Sequence, residues 1–294
     1  MSKNSSNDEL QYLKLIKKII DTGEERQTRN SITKSIFGEK LEFDISSSIP
    51  FITTKKLAWK TVIKELLWFL SGSTDNKILL DQNVKIWSGN ASREYMDSIG
   101  FKSREVNDLG PVYGHQWRHF NAEYIDEHTD YTNKGVDQIK YVLDLLKNDP
   151  MSRRIILSAW NPAQITQMNL PPCHILAQFY VSANKELSCM LYQRSADVGL
   201  GLPFNIASYA TLTYILAKLT NLTPKKLIIT IGDAHIYQNH ENTLKEQINR
   251  VPFNFPILQI NSEKEYNNVE DFVIDDFIVE NYTYHETLKM EMIA

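Results

Sequence analysis

The chain has 294 residues, of which 42% are hydrophobic and 23% are charged, and its formal net charge at pH 7 is −4. These proportions are ordinary for a soluble globular protein, and no apolar run reaches the length of a membrane span. A net acidic chain argues against a general nucleic-acid-binding surface, so any anionic ligand needs local arginines. Two cysteines in different settings do not suggest a disulfide framework, which favours a reducing compartment and a cytoplasmic location. No spacing of cysteine and histidine predicts a structural zinc site.

The N-terminal part begins with a polar stretch, residues 1–9, which we expect to be a disordered tail before one domain over residues 10–294. Apolar residues recur at helical spacing through residues 10–21 and predict an amphipathic helix that Gly23 ends. Two further stretches predict strands, residues 35–43 and 49–53.

Residues 24–33 are polar and predict an exposed basic loop that carries Arg26 and Arg29. Arginines in such a loop fit an anion site, but they fit a solvated loop with incidental charges equally simply. The residues alone leave both interpretations open.

Residues 58–70 give the strongest helix signal, which Ser71-Gly72 closes. Glu65 is the unusual residue, because helical spacing places Val62, Trp68 and Phe69 beside it. A carboxylate in that setting should be desolvated, with a raised pKa that suits proton transfer. Alternatively, the flexible stem of Glu65 carries the carboxylate to solvent.

Two polar excursions, residues 88–107 and 119–134, flank a turn-rich segment that presents Tyr113. After them, residues 136–147 predict an amphipathic helix and residues 155–160 a buried strand. Further along, the patterns predict a buried strand over 175–181, a strand over 186–193, a buried helix over 205–220, a strand over 227–231 and a turn over 232–237. Strands and helices alternate irregularly, so we expect an α+β fold, a single domain with a large mixed sheet flanked by helices.

The reactive centre of the chain is predicted at Pro171-Pro172-Cys173-His174. The prolines favour an extended approach, and a buried strand follows directly, so Cys173 should lie at the mouth of a strand. There it fits either a nucleophile or a small buried hydrophobic residue. Cys189 alternates with Leu187 and Leu191 on one strand face, which predicts a structural role.

An anion site is predicted at Arg194-Ser195, where a charged fork and a hydroxyl donor stand side by side. The glycines that follow allow close backbone approach, and the amide of Asn205 offers one donor and one acceptor to a planar ring edge. With these residues the chain resembles the thymidylate synthase family, closely its eukaryotic-type members, from about Leu10 to Ala294. The motifs that carry the resemblance are 53–55 (TTK), 65–69 (ELLWF), 110–114 (GPVYG), 152–154 (SRR), 171–174 (PPCH), 193–195 (QRS), 203–209 (PFNIASY) and 232–237 (GDAHIY). The two polar excursions look like insertions of the eukaryotic-type members.

The resemblance implies reductive methylation of dUMP to dTMP, with 5,10-methylenetetrahydrofolate donating both the carbon and the hydride. It implies that Cys173 is the nucleophile, activated by Arg194, and that Asn205 reads the uracil edge. Glu65 would manage protons through water, and Tyr113 would assist loss of the carbon 5 proton. His174, in the same motif as the nucleophile, completes the catalytic set. No metal or tightly bound cofactor is implied.

The same resemblance implies the binding residues and a homodimer with shared sites. For dUMP the residues are Arg29, Arg153, Arg154, Arg194, Ser195, Asp197, Asn205, His235 and Tyr237, with Arg153 and Arg154 contributed across the interface. For folate they are Lys55, Ile86, Trp87, Asn90, Asp197, Gly201, Phe204 and Ala294. Neither a membrane nor a nucleic acid is expected as a main partner.

The chain departs from the family pattern at the phosphate loop. An ungapped count puts Thr28 where an arginine is usual, and Asn30 and Ile32 replace two glycines. We expect Arg29 to supply the charge after a one-residue shift, with Arg26 as the alternative. The chain also has Ala294 where many members end in valine.

Two other functions remain possible on the residues alone. One is a pyrimidine nucleotide hydroxymethylase of the same fold, which captures water instead of transferring hydride. The other is a homologue that acts mainly as an RNA-binding regulator, which the acidic net charge and the complete set of candidate catalytic residues disfavour.

Overall fold

The computed structural model describes residues 6–28 and 31–292, and at its centre lies a six-stranded mixed sheet. Its strands are β1 (Glu24–Gln27), β2 (Ile32–Asp44), β3 (Ile156–Ser158), β4 (His174–Val181), β5 (Glu186–Asp197) and β6 (Thr223–Tyr237). They lie in the order β1-β2-β6-β5-β4-β3, and only β5 and β6 run parallel. The predicted mixed sheet is thus confirmed.

The described residues also form eight α-helices. They are α1 (Ser6–Thr22), α2 (Trp59–Leu70), α3 (Asn76–Asp81), α4 (Arg93–Ser98), α5 (Tyr113–His119), α6 (Gln138–Asn148), α7 (Gly201–Thr220) and α8 (Glu241–Gln247). A separate hairpin pairs β7 (Ile257–Ile260) with β8 (Phe277–Glu280). The four helices predicted from apolar spacing are confirmed as α1, α2, α6 and α7. In residues 6–28 and 31–292, no helix combines the length and apolar character needed to span a membrane.

Helix α7 covers one face of the sheet and forms much of the core. Its side chains are buried along nearly its whole length, as its uncharged sequence predicts. Leu187, Cys189 and Leu191 of β5 are fully buried on the covered side. The prediction that Cys189 is a buried hydrophobic residue is therefore confirmed, and the alternation along β5 explains it.

The opposite face of the same strands has no helix against it in the described chain. Tyr180 of β4 is 64% exposed there, and Met190 and Tyr192 of β5 are 44% and 38% exposed. The register joins Gln178 to Met190 and Leu176 to Tyr192, so these side chains form one continuous patch. We call it the open sheet face.

The expectation of a disordered tail is wrong for residues 6–9, because α1 begins at Ser6. Glu9 is fully buried, and its carboxylate accepts hydrogen bonds from the backbone N–H groups and the hydroxyls of Thr53 and Thr54. A charge-assisted network of this kind orders the chain around it. Residues 1–5 lie outside the described residues.

Three other local predictions are corrected. Residues 24–27 form β1, because they pair with the start of β2, instead of a loop. Residues 49–53 form no strand, because the backbone N–H groups of Ile49, Phe51 and Thr53 donate to Pro256, Ile49 and Glu9 and not to a neighbouring strand. Residues 232–237 continue β6, because that backbone pairs with both β2 and β5, and sheet pairing outweighs the local turn signal.

Candidate active site

A cavity of about 500 Å³ opens where β5 ends and α7 begins. Most of the residues that the sequence singled out line it: Glu65, Ile86, Trp87, Asn90, Tyr113, Cys173, His174, Arg194, Ser195, Asp197, Gly201, Phe204, Asn205, His235 and Tyr237. These residues come from several helices and strands and from distant parts of the sequence. The tertiary structure therefore brings together candidate residues that lie in separate sequence motifs.

Cys173 stands immediately before β4, as predicted for a residue at a strand mouth. Its backbone N–H donates to the hydroxyl of Tyr113 at 2.8 Å, and its carbonyl accepts from the backbone N–H of Arg194 at 2.9 Å. The β4–β5 register shifts between His174 and Leu176 at this point. The loop is thus fixed at both ends while the thiol points into the cavity.

The guanidinium of Arg194 is the charged group nearest to the thiol that the structure shows, with Nη2 3.8 Å from Cys173 Sγ. Burial raises the pKa of the Cys173 thiol, and the positive charge of Arg194 counteracts that rise only in part. For comparison, burial raises the pKa of Cys189 to about 12. Cys173 is thus the reactive candidate, although Arg194 alone leaves it protonated at neutral pH.

His174 and Tyr113 form the wall beside the thiol. Their rings stack in parallel with centroids 4.0 Å apart, and His174 Nδ1 hydrogen-bonds the Tyr209 hydroxyl at 2.8 Å. Burial lowers the pKa of His174 to about 3 and raises that of Tyr113 well above its usual value. Both side chains are therefore neutral at pH 7, and they act as hydrogen-bonding groups.

Glu65 reaches the cavity from α2, and its setting is that of a desolvated carboxyl group. Burial raises its pKa to about 7, while the indole N–H of Trp87, which donates to Oε1 at 2.7 Å, lowers it in part. Trp68 and Phe69 pack against Trp87 above it. The carboxyl group is consequently near half-protonated at neutral pH, which fits it for moving a proton in either direction.

The amide of Asn205, at the start of α7, faces the same cavity. Gln193 Nε2 donates to Asn205 Oδ1 at 2.8 Å and to the backbone carbonyl of Ser195 at 3.2 Å. This fixes which end of the Asn205 amide is oxygen and leaves Nδ2 as a donor. In the sequence, Gln193 is only one member of the 193–195 motif, and no property of glutamine itself predicts this orienting role.

A second cavity of about 210 Å³ adjoins the first and shares Ser195, His235 and Tyr237 with it. Arg26 of β1 lines this cavity, and its Nη1 lies 2.7 Å from Asp233 Oδ2. The other oxygen of Asp233 lies 3.2 Å from His235 Nδ1. Arg26, the alternative to Arg29 in the basic segment, therefore lies beside the predicted anion site.

Three predicted residues of the described chain, Lys55, Arg153 and Arg154, line neither cavity. The amine of Lys55 is buried and donates to the carbonyl of Gly199, and burial lowers its pKa to about 8. Arg153 and Arg154 are exposed just before β3. Arg29 and Ala294 lie outside the described residues.

Conversely, the structure adds apolar lining residues that sequence reasoning missed. These are Leu170 and Leu200 and two methionines near the C-terminus, Met290 and Met292. His240 hydrogen-bonds the carbonyl of Glu291 at 2.8 Å and anchors that segment. Nothing in the local sequence marks these residues, because they reach the cavity only through the path of the terminal segment.

Comparison with known proteins agrees with this geometry. The family model described as thymidylate synthase matches residues 10–294. The bifunctional dihydrofolate reductase-thymidylate synthases of Paramecium tetraurelia and Zea mays are 53% identical over 290 residues and 52% identical over 287 residues. These matches cover 98% and 97% of this chain but only 62% and 54% of the two relatives, so the chain spans about half to three fifths of their length. The thymidylate synthase of Homo sapiens is 52% identical over 285 residues, which cover 97% of this chain and 90% of that protein.

The raised pKa of Glu65 predicts a pH dependence of stability. The folded protein binds the Glu65 proton more tightly than the unfolded chain, whose glutamate pKa is 4.5, so stability from this group is full below pH 4.5. It is lost as the pH rises to about 7, by roughly 3 kcal/mol, since one pKa unit is worth about 1.4 kcal/mol. Urea denaturation at pH 5, 6, 7 and 8 should show this decline in the native chain and a correspondingly smaller one in Glu65→Gln. Parallel pH profiles in the two proteins would contradict the assignment.

Proposed function

The chain belongs to the thymidylate synthase family, and on that premise we propose that it converts dUMP to dTMP with 5,10-methylenetetrahydrofolate as the one-carbon and hydride donor. The single observation that supports this most strongly is the common cavity of Cys173, Arg194, Glu65 and Asn205. It combines a nucleophile, a fixed positive charge, a carboxyl group titrating near neutrality and an oriented amide. Dihydrofolate is the second product.

Cys173 starts the reaction by adding its sulfur to carbon 6 of the pyrimidine, which makes carbon 5 an enolate-like nucleophile. Carbon 5 then bonds to the one-carbon unit and loses its proton, and the bond between that unit and the folate nitrogen breaks. The folate gives its hydride to the resulting exocyclic methylene carbon, which becomes the methyl group, and the sulfur leaves carbon 6. The thiol of the unliganded cavity is protonated, so addition requires the proton to leave as the substrate binds. Glu65, with a pKa of about 7, is suited to handle protons at the ring through water.

Asn205 reads the uracil edge because its two ends match that edge. Its Nδ2 donates to the carbonyl at position 4, and its Oδ1 has a second lone pair for the N–H at position 3. Gln193 holds the amide in this orientation from behind. His235 and Tyr237 contact the ribose hydroxyl, and the neutral His174 and Tyr113 complete the wall over the ring.

The phosphate is bound at Arg194, which lines the larger cavity, and at Ser195, which lines both cavities. Arg26 lines the smaller cavity and supplies positive charge there, which favours it over Arg29 as the arginine of the basic segment that binds the phosphate. A phosphate entering this cavity would compete with Asp233 for the Arg26 guanidinium, since both are anions. Arg29 remains a proposed contributor.

A homodimer completes the phosphate site in this proposal. The open sheet face carries Tyr180, Met190 and Tyr192 and offers an apolar surface for a second copy of the chain. Arg153 and Arg154 are exposed just before β3, and they do not line the larger cavity of their own chain. In the dimer, Arg153 and Arg154 of the partner subunit bind the phosphate, and their charge further lowers the pKa of the Cys173 thiol.

Folate occupies the apolar side of the cavity in this proposal. The residues that hold it are Ile86, Trp87, Asn90, Asp197, Gly201 and Phe204, and Met290 and Met292 also line the cavity. The Lys55 amine would have to break its hydrogen bond to the Gly199 carbonyl before it could bind the glutamate tail of the folate. We propose Ala294 as a further folate-binding residue.

We also propose a cytoplasmic location, which agrees with the two unpaired cysteines.

The activity is tested by spectrophotometric formation of dihydrofolate that depends on dUMP, with dTMP identified by mass. Cys173→Ser should abolish turnover and still bind dUMP, because a serine hydroxyl is barely ionised at neutral pH. Cys189→Ser is the matched control and should lose only stability. A hydroxymethylated product, or full activity in Cys173→Ser, would refute the proposal.

Shared sites predict complementation between two defective proteins. Cys173→Ala lacks the nucleophile, and Arg154→Ala lacks the charge that it gives to its partner. After subunit exchange, some mixed dimers have one complete site, so partial activity should return. The measurement is turnover before and after mixing, with exchange verified by tag pull-down. If exchange occurs and activity stays at the level of the unmixed proteins, each site is built within one chain.

Asn205→Asp should change substrate preference. Cytosine presents an acceptor at position 3 and an amino donor at position 4, which mismatch the amide but offer a donor to a carboxylate. An unmatched buried polar pair costs roughly 1–3 kcal/mol, or about one to two factors of ten in selectivity. We therefore expect the ratio of kcat/KM for dCMP over dUMP to rise by about that factor. An unchanged ratio would mean that Asn205 only begins the helix.

A further inference from the structure

Asp233 belongs to the 232–237 motif, but the proposed function gives a binding role only to His235 and Tyr237 of that motif. Its strand, β6, runs beside β5, and the register joins Asp233 to Ser195, a proposed phosphate ligand. Residues joined in this way point to the same face of a sheet. Both line the smaller cavity, so a carboxylate lies where the phosphate is proposed to bind.

The carboxylate of Asp233 is held from two sides. Arg26 Nη1 lies 2.7 Å from its Oδ2 atom, and His235 Nδ1 lies 3.2 Å from its Oδ1 atom. The hydrogen bond from His235 and the positive charge of Arg26 keep the pKa of Asp233 below its usual value. The group is therefore ionised at neutral pH. Because an ionised carboxylate only accepts hydrogen bonds, the His235 nitrogen that faces it carries the proton.

Arg26 is placed at the cavity by its backbone and does not depend on this ion pair for its position. Its strand, β1, pairs with β2, and the register joins Arg26 to Thr33 and Gln27 to Ile32. A substitution that removes the charge of Asp233 should therefore leave the guanidinium at the cavity. The full positive charge of Arg26 would then be available to another anion.

Arg26 and Asp233 cancel each other's formal charge within the smaller cavity. Among the described residues that line it, Arg26 is the only lysine or arginine and Asp233 is the only carboxylate. The Arg26 side chain is 53% exposed and that of Asp233 is 29% exposed, and an ion pair this exposed is weak. A phosphate monoester carries a charge of about −1.5 to −2 at neutral pH and has three acceptor oxygens, so it can displace one carboxylate from the guanidinium.

We propose that Asp233 is the resident counter-ion of the phosphate site. It pairs with Arg26 when no nucleotide is bound, releases the guanidinium to the phosphate of the entering nucleotide and recovers it when the product leaves. Asp233 is thus a positioning residue that acts on the phosphate through Arg26. The inference rests on the proposed function and deepens it, because it explains how one site holds the substrate and still releases a product with the same phosphate.

The test compares the native chain with Asp233→Asn in the binding of inorganic phosphate, of dUMP and of deoxyuridine, which lacks the phosphate. Dissociation constants are measured by calorimetric titration, and by phosphorus NMR for weakly bound phosphate, at constant ionic strength because salt screens exposed charges. Asp233→Asn should bind phosphate and dUMP about twofold to fivefold more tightly, the range expected for an exposed ion pair. Deoxyuridine should bind equally to both proteins, since the asparagine oxygen can still accept the hydrogen bond of His235.

Arg26→Gln separates an effect through Arg26 from simple repulsion between Asp233 and the phosphate. It should weaken phosphate binding, and in that background Asp233→Asn should tighten phosphate binding much less than it does in the native chain. Glu39→Gln is the matched control. Glu39 forms an ion pair of similar exposure with Lys18, 2.6 Å away, and lines neither cavity. Its substitution should leave all three dissociation constants unchanged.

Unchanged or weaker phosphate binding by Asp233→Asn would mean that Asp233 orients Arg26 for the phosphate or does not act on it, and the proposal would be wrong. Equal tightening with and without Arg26 would indicate direct repulsion and overturn the proposal as well. Neither result depends on turnover. A chain that binds phosphate as expected but forms no dihydrofolate from dUMP would refute the proposed function and leave the counter-ion role standing, so the two failures are distinguishable.

Discussion

The guanidinium of Arg194 is the interaction on which the geometry of the candidate site depends. Pro171 and Pro172 have no N–H to pair with a neighbouring strand, and their carbonyls accept instead from Arg194 Nη2 at 3.1 Å and Nε at 2.7 Å. The same side chain lies 3.8 Å from the Cys173 sulfur. The planar guanidinium group thus sets both the conformation of the loop and the electrostatic environment of the thiol. A lysine ammonium could not reproduce this combination.

Burial determines which protonation states the cavity holds around that fork. It keeps His174 neutral, keeps Tyr113 protonated and brings the pKa of Glu65 to about 7. The thiol of Cys173 is disfavoured as an anion for the same reason. The thiol is therefore activated only when further positive charge reaches it, as the arginines of the partner subunit would provide in the proposed dimer.

The two faces of the sheet have different roles. The face under α7 carries Leu187, Cys189 and Leu191 and supplies the core that holds β5 and the start of α7 in place. The open sheet face carries aromatic and methionine side chains, and it is the surface on which the proposed dimer rests.

The sequence by itself determined the features that depend on local periodicity and on long motifs. Apolar spacing was enough for α1, α2, α6 and α7, and the motifs around Cys173 and Asn205 were enough for the family, because both signals lie within short windows. Residues 24–27, 49–53 and 232–237 were assigned wrongly, since whether an extended segment joins a sheet depends on partners far away in the chain.

Only the tertiary structure decided how the singled-out residues meet. It placed Gln193 behind Asn205, Arg26 at the second cavity and Met290 and Met292 over the first. It also decided that Glu65 is desolvated and not carried to bulk solvent, since that outcome depends on Trp87, 22 positions away, and on the walls of the cavity. Spacing along the sequence indicates which face of an element is buried, but it does not say which distant residues will contact that face, and those contacts set the pKa of a buried group.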